Sequence, residues 1–304
     1  MRPSWTLLGC VVCAGALLAG CATSAAAPVG SEGVLQVVAG ENFWGSLAAQ
    51  LGGDRVHVTS IVSDPNADPH EYESSPADAR LFATANYVLL NGAGYDAWAS
   101  RLLGAQPRAG RKVFTVAALL GKKEGDNPHF WYDPAYVFEV VDHITADYKA
   151  LDPKHSSYFA SRYEAVQEEL VPYRQRLADI RQHFAGSRVA ATESIFEYLA
   201  QYLHLDLVTP YAFMKAVADG NDPPTSSEAA FEQQIQARAF GVLVYDVQTV
   251  TPLTTSIRQQ AEQKNIPVVG VSETIQPASA TFEGWMDAQL DLLTHALAAQ
   301  TAVR

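Results

Sequence analysis

The sequence predicts an α/β fold: two lobes, each with a mostly parallel sheet and flanking helices, joined by one long rigid helix. Three observations predict it. Short β-branched runs alternate with helical stretches over the first half of the chain. One long amphipathic stretch occupies the middle, and the alternation restarts after it. A length of 304 residues accommodates one large domain or two lobes, at roughly 150 residues apiece.

Taken in order, residues 34–39 form a strand-like apolar run. Residues 43–51 carry apolar side chains at helical spacing and stop at Gly52-Gly53, a good helix terminus. The β-branched run 56–62 is a strand, 76–85 reads as a helix, and 87–91 and 112–116 are short buried strands. Between 153 and 184, Tyr158, Phe159, Tyr163, Val166, Leu170, Tyr173, Leu177, Ile180 and Phe184 recur mostly at three- or four-residue steps, with charged residues in the gaps. This is one amphipathic helix of ~30 residues, spanning ~45 Å at 1.5 Å per residue. Pro172 predicts a bend inside it, because proline offers no N–H and its ring crowds the preceding turn. The alternation then resumes: strand 188–192, helix 195–203, strand 242–245, helix 253–265, strand 267–271 and helix 283–299. No sequence repeat marks the two lobes as duplicates.

The first residues read as an address. After Arg2, residues 5–19 are apolar and uncharged. That is too short for a good membrane span, which needs about 20 residues, and it fits the apolar region of a secretory signal. The segment ends Leu18-Ala19-Gly20-Cys21, which resembles a bacterial lipobox and implies lipidation of Cys21. The expected organisation is a lipoprotein signal peptide at 1–20, a flexible tether at 21–33, an N-terminal lobe at 34–150, a linking helix at 151–186 and a C-terminal lobe at 187–304. The expected location is the extracytoplasmic face of the cell membrane, held by lipid.

Lys+Arg number 21 against 33 Asp+Glu, a formal charge of -12. Such a chain lacks the basic footprint of a nucleic-acid binder and suits cations or basic partners. The three cysteines are Cys10, Cys13 and Cys21, so the predicted lobes contain no disulfide, thiolate metal site or cysteine nucleophile. There is no G-x-S-x-G, H-E-x-x-H or Walker pattern.

Of eight histidines, His57, His143, His155, His183 and His295 read as solvated or structural. His70 and His129 differ. His70 stands in Asp68-Pro69-His70-Glu71-Tyr72 and His129 in Asn127-Pro128-His129-Phe130-Trp131-Tyr132-Asp133-Pro134. A proline restricts the backbone beside each imidazole, and both lie in loops after strand ends, where open α/β sheets place ligands. Spacing alone leaves two readings open for them, metal ligand or ordinary loop histidine.

These two motifs, the lipobox and the helix between two α/β lobes together resemble the zinc and manganese solute-binding proteins of bacterial ABC transporters. The resemblance covers essentially the whole chain after Cys21. It implies that His70 and His129 are metal ligands. It places a third ligand at Glu193, in Ala191-Thr192-Glu193-Ser194, and a fourth at Glu273, after strand 267–271, where the family usually has Asp. Asp246 is the fallback fourth ligand. Glu197, one turn beyond Glu193, reads as a solvated helix residue in preference to a supporting group, and Met214 as packing. The implied activity is capture of one divalent ion, Mn2+ or Zn2+ with Fe2+ as a further candidate, and delivery to an ABC permease. No catalysis is expected, and the protein is expected to be a monomer that binds the membrane through its lipid and does not bind nucleic acid. Manganese is favoured, because Glu193 stands where many zinc members have His and the stretch 119–126 lacks their histidine-rich loop. The alternatives are a zinc-binding protein of the same transporter type, a lipid-anchored adhesin, a metal-dependent hydrolase that keeps a water on the ion, and a carrier of a chelated metal or an organic solute. The chain shows no Arg-rich pocket for an anionic solute.

Overall fold

A computed structural model describes residues 33–66 and 68–301; the expected signal peptide, Cys21 and nearly all of the tether lie outside them. The first sheet is built from β1 (Leu35–Glu41), β2 (Val56–Val62), β3 (Tyr87–Leu90) and β4 (Lys112–Thr115), in the order β2-β1-β3-β4. Helices α1 (Asn42–Gly52), α2 (Pro76–Thr84), α3 (Ala97–Ala105) and α4 (Val116–Leu119) connect or follow its strands. Next come α5 (Pro134–Leu151), α6 (Ser156–Glu169) and α7 (Val171–Phe184). The second sheet comprises β5 (Arg188–Ala191), β6 (Asp206–Leu207), β7 (Val242–Asp246) and β8 (Val268–Val271), in the order β6-β5-β7-β8. Around it lie α8 (Glu197–Tyr202), α9 (Tyr211–Ala218), α10 (Thr225–Gln236), α11 (Pro252–Gln263) and α12 (Phe282–Thr301). Every strand pairing is parallel.

The two sheets share one strand order although no sequence repeat announces it. In each, the first strand lies in the middle: Val37 pairs with Val58 and Tyr87, and Val189 pairs with Leu207 and Val242. The connections leave that strand in opposite directions, which opens a crevice at its C-terminal end.

Strand alternation sorts the core. Val37 and Ala39, with Val189, Ala191, Val242 and Val244, face one continuous apolar body that runs from α1 through α5, α6 and α7 to α12. Val38, Val88 and Leu90 face an outer layer with Phe82 and Trp98, while Ala190 and Leu243 face Phe213, Phe231 and Ile257. The shared central body includes the fully buried Trp44, Trp131, Tyr148, Tyr173 and Trp285.

The helix expected over 153–184 carries its interruption where Pro172 predicts one. It runs as α6 and α7 with Leu170 between them, and Pro172 sits in the first turn of α7, where its missing N–H has no intrahelical partner to lose. α6 packs on α1 and α5, α7 on α12, so the helical pair follows both lobes. Helices α3, α4, α5, α9 and α10 and the short strand β6 are additions to the expected elements. Asp133 caps α5 by accepting the Ala135 N–H, Pro134 opens it, and Val137, Val140, Val141, Ile144 and Tyr148 make its buried stripe. No helix among the described residues is long and apolar enough to cross a membrane.

Candidate metal centre

Each candidate residue follows the C-terminal end of a strand. His70 comes after β2, His129 after β4 and α4, Glu193 after β5 and Glu273 after β8, while Asp246 ends β7. The fold therefore gathers at one edge five residues that are far apart in sequence.

The Asp68-Pro69-His70 motif is a presentation device. Pro69 opens a 3-10 turn over Pro69–Glu71, and the Asp68 carboxylate accepts the His70 N–H at 2.8 Å. The His70 ring, its side chain 24% exposed, reaches Glu273 with Nε2 at 3.2 Å from Oε2. His129 is fully buried. Its Nδ1 lies 2.7 Å from Asn127 Oδ1, and the Asn127 amide nitrogen donates elsewhere, to the Ser194 carbonyl at 2.8 Å and Glu197 Oε2 at 2.9 Å. The Asn127 oxygen must then accept, so Nδ1 carries the proton and neutral His129 turns a bare Nε2 inward. That Nε2 lies 3.7 Å from Glu273 Oε2 and 3.9 Å from Glu193 Oε2.

Glu193, 1% exposed, caps the 3-10 turn Ser194–Phe196: Oε1 accepts the Ile195 N–H at 2.7 Å. Its Oε2 and the His129 Nε2 are buried polar atoms without a hydrogen-bond partner among the described residues. Buried groups of this kind call for an explanation, and the capacity to ligate a cation is one. Glu273, with no exposed surface, accepts the Tyr95 hydroxyl at 2.7 Å on Oε2 and lies 3.4 Å from Thr249 Oγ1 on Oε1.

His70, His129 and Glu273 can each offer one donor atom, all within 4.8 Å of one another. An ion bonded to nitrogen and oxygen at about 2.0–2.2 Å sets adjacent donors about 3.0–3.5 Å apart, close to the 3.2 and 3.7 Å from Glu273 to the two imidazoles; Glu193 lies 3.9 Å from His129 but outside this group of three, and must move further to join it. Asp246, 1% exposed, is engaged instead with its own loop. Its Oδ1 accepts the Gln248 N–H at 2.8 Å, and its Oδ2 lies 3.4 Å from Thr249 Oγ1.

The electrostatics divide the carboxylates. Burial raises the pKa of Glu193 well above the usual range, helped by the fields of Asp246 and Glu273; burial and Glu273 do the same to Asp246. Burial pushes Glu273 upward too, but the charge and hydrogen bond of His70 outweigh it and hold Glu273 well below. Burial likewise opposes the charge on His70, but the charge and hydrogen bond of Glu273, with Asp68 and Asp246 behind them, bring its pKa up to about 9. Burial keeps His129 below its ordinary value. These directions favour a His70–Glu273 ion pair, a proton on Glu193 and a neutral His129 when no cation is bound. A divalent cation that displaces the His70 and Glu193 protons leaves the buried charge unchanged.

A cavity of about 770 Å3 opens above the centre, lined by His70, Tyr95, Asn127 and Thr249 among others. Asp68, Glu71, Asp126, Asp219 and Asp222 also line it, and Lys215 there is paired with Asp219 at 2.6 Å. A cleft so lined concentrates cations.

Three partners escape sequence reading. Glu197 is a half-buried acceptor for Asn127, where a solvated helix position was expected. Asn127 stands in the histidine motif without an assigned role. Tyr95 follows β3 in the Asn91-Gly92-Ala93-Gly94 turn, and its position after a short buried strand is the one signal that could have found it.

Residues 37–296 match the profile of the family described as zinc-uptake complex component A, periplasmic (ZnuA). Among curated relatives, the manganese-binding lipoprotein MntA of Halalkalibacterium halodurans is 30% identical over 139 residues, 45% of this chain and 46% of that protein. The metal ABC transporter substrate-binding lipoprotein FimA of Streptococcus parasanguinis is 23% identical over 255 residues, 79% of this chain and 80% of FimA. The alignment to MntA thus spans about half the length of that relative. Among solved structures, the solute-binding protein FpvC of Pseudomonas aeruginosa in complex with Mn2+ superposes with a TM-score of 0.71 at 21% identity, over 88% of this chain and 99% of FpvC. A crystal structure of ZnuA gives a TM-score of 0.69 at 20% identity, over 86% and 99%. With the match to the family profile running from β1 into α12, the chain belongs to the ZnuA family of metal-uptake components.

Proposed function

We propose that this protein captures one divalent transition-metal ion outside the cytoplasm, with manganese as the physiological cargo, and hands it to an ABC permease. The observation that carries the reading is the set of inward donors at the end of two sheets: His70 Nε2, His129 Nε2, Glu193 Oε2 and Glu273 Oε2. Two of these atoms are buried without a partner, and neighbours stand 3.2–3.9 Å apart. Two imidazoles suit first-row metals, and two carboxylates suit the harder Mn2+ while balancing its charge. The second oxygens of Glu193 and Glu273 allow a higher coordination number than the four of a closed zinc site. The names of the relatives, which include manganese-binding and metal ABC transporter lipoproteins, support the same reading. A captured ion needs full ligation and no open position, so the centre stores and releases and does not catalyse. Cys21 is the proposed lipid anchor, and a monomer suffices because both halves of the centre come from one chain.

The test is uptake. A deletion strain should lose manganese accumulation and recover growth on added manganese. Loss of zinc accumulation alone, with rescue by zinc alone, would assign the same centre to zinc.

A further inference from the structure

Asn127 saturates its side chain across the two lobes. On the first-lobe side, its Oδ1 accepts the backbone N–H of His129 at 3.1 Å and faces the ring Nδ1 at 2.7 Å. On the second-lobe side, its Nδ2 donates to the Ser194 carbonyl at 2.8 Å and to Glu197 Oε2 at 2.9 Å. The Tyr198 hydroxyl donates to the Asn127 carbonyl at 2.9 Å, and Lys122 Nζ lies 5.4 Å from the centre of the Tyr198 ring. Ser194 and Glu197 belong to the segment that Glu193 begins, and Glu193 is the carboxylate facing His129. One amide therefore touches the imidazole of one lobe and the backbone that carries the carboxylate of the other.

We propose that Asn127, held by Glu197, is a positioning residue that fixes the tautomer of His129 and locks His129 against Glu193 across the lobes, so that this half of the centre exists before the ion arrives. The proposal rests on the metal-binding reading above. The polarity of the pair is specific. The amide must accept from His129 and donate toward Glu197, and an ionised acid at position 197 can only accept. A carboxylate at position 127 would still accept from His129, but it would set two acids face to face and leave the Ser194 carbonyl without its donor. Removing an outer partner of a metal-bound imidazole lowers affinity about 10- to 100-fold in known sites.

The experiment uses Mn2+ and Co2+ salts as the only probes, with the full-length protein and variants N127D, E197Q and N127D/E197Q. Direct titration gives Kd, the visible absorption of bound Co2+ reports ligand geometry, and melting of the metal-free protein reports folding. E197Q supplies the second single variant against which the double variant is read. N127D keeps an acceptor for His129 but opposes Glu197 and drops the Ser194 contact, so it should weaken Mn2+ binding about tenfold and shift the Co2+ spectrum. In the double variant the amide introduced at position 197 can donate to the carboxylate introduced at position 127. It should regain about tenfold and return the spectrum toward that of the parent. If N127D binds like the parent, or the double variant binds no better than N127D, the proposal is wrong. If N127D does not fold, E197K reads the same contact from the other lobe by opposing the Asn127 amide with a second donor. Unchanged affinity in E197K overturns the proposal, and a loss of about tenfold or more supports it. A parent protein that binds neither ion would instead overturn the metal-binding reading.

Discussion

Acidity is the perturbation to which the proposed centre should respond most strongly. In the metal-free protein, Glu273 and the acids behind it hold the His70 imidazolium to about pH 9. An imidazolium cannot ligate, so a cation must displace that proton. Below pH 9 the apparent affinity should therefore rise with pH, by about tenfold per unit for this proton alone. Between pH 6 and 8 the gain is roughly 90-fold for a group titrating near 9, against roughly fourfold for an ordinary imidazole near 6.5. Burial also pushes Glu193 toward its protonated form, which steepens the slope in the same direction. The assay is a Mn2+ competition titration at pH 6, 7 and 8. Calorimetry at pH 7.5 in two buffers of different ionisation heat counts the protons released, with one to two expected per ion. A total change of about fourfold or less, with no proton released, would refute the ion pair as the resting state. In E273Q the slope should flatten, because His70 loses the charge that holds its proton.

Single contacts carry the remaining predictions. Tyr95→Phe removes the 2.7 Å hydrogen bond to Glu273; a hydrogen bond to a charged group contributes about 1.5–3 kcal/mol, so the protein without Mn2+ should lose about that much stability in urea unfolding. Asp246→Asn should weaken binding less than about tenfold, because its carboxylate serves the 246–249 loop, whereas Glu193→Ala should cost more than about 100-fold by removing a donor; equal losses in the two variants would make Asp246 the ligand. Trp44→Ala should destabilise the protein by about 3–5 kcal/mol in urea unfolding, since the indole is fully buried and its N–H bonds Asn91 Oδ1 at 3.0 Å.

The fold was largely legible because seven of its eight strands are largely apolar runs of four to seven residues and both sheets are covered on two faces, which leaves a strong apolar signal; β6, of two residues, left none. Pro172 announced the break between α6 and α7 through its missing N–H. Helix α5 escaped because its stripe, from Val137 to Tyr148, follows directly on the histidine motif, although Asp133-Pro134 is a sound start signal. In the candidate centre, His70 and His129 stood out because a proline precedes each after a strand. Glu193 and Glu273 have no such local mark, and only the family resemblance singled them out. Tyr95, Asn127 and Glu197 act through contacts between segments 67 to 178 residues apart, and no local pattern encodes such a pairing.

The most direct test is an anomalous-difference map, measured at the manganese absorption edge, from crystals of this protein grown with Mn2+. The account predicts one strong peak within about 2.0–2.3 Å of His70 Nε2, His129 Nε2 and oxygens of Glu193 and Glu273. A peak elsewhere, a peak that Glu193 or Glu273 does not touch, or no peak at saturating Mn2+ would contradict it.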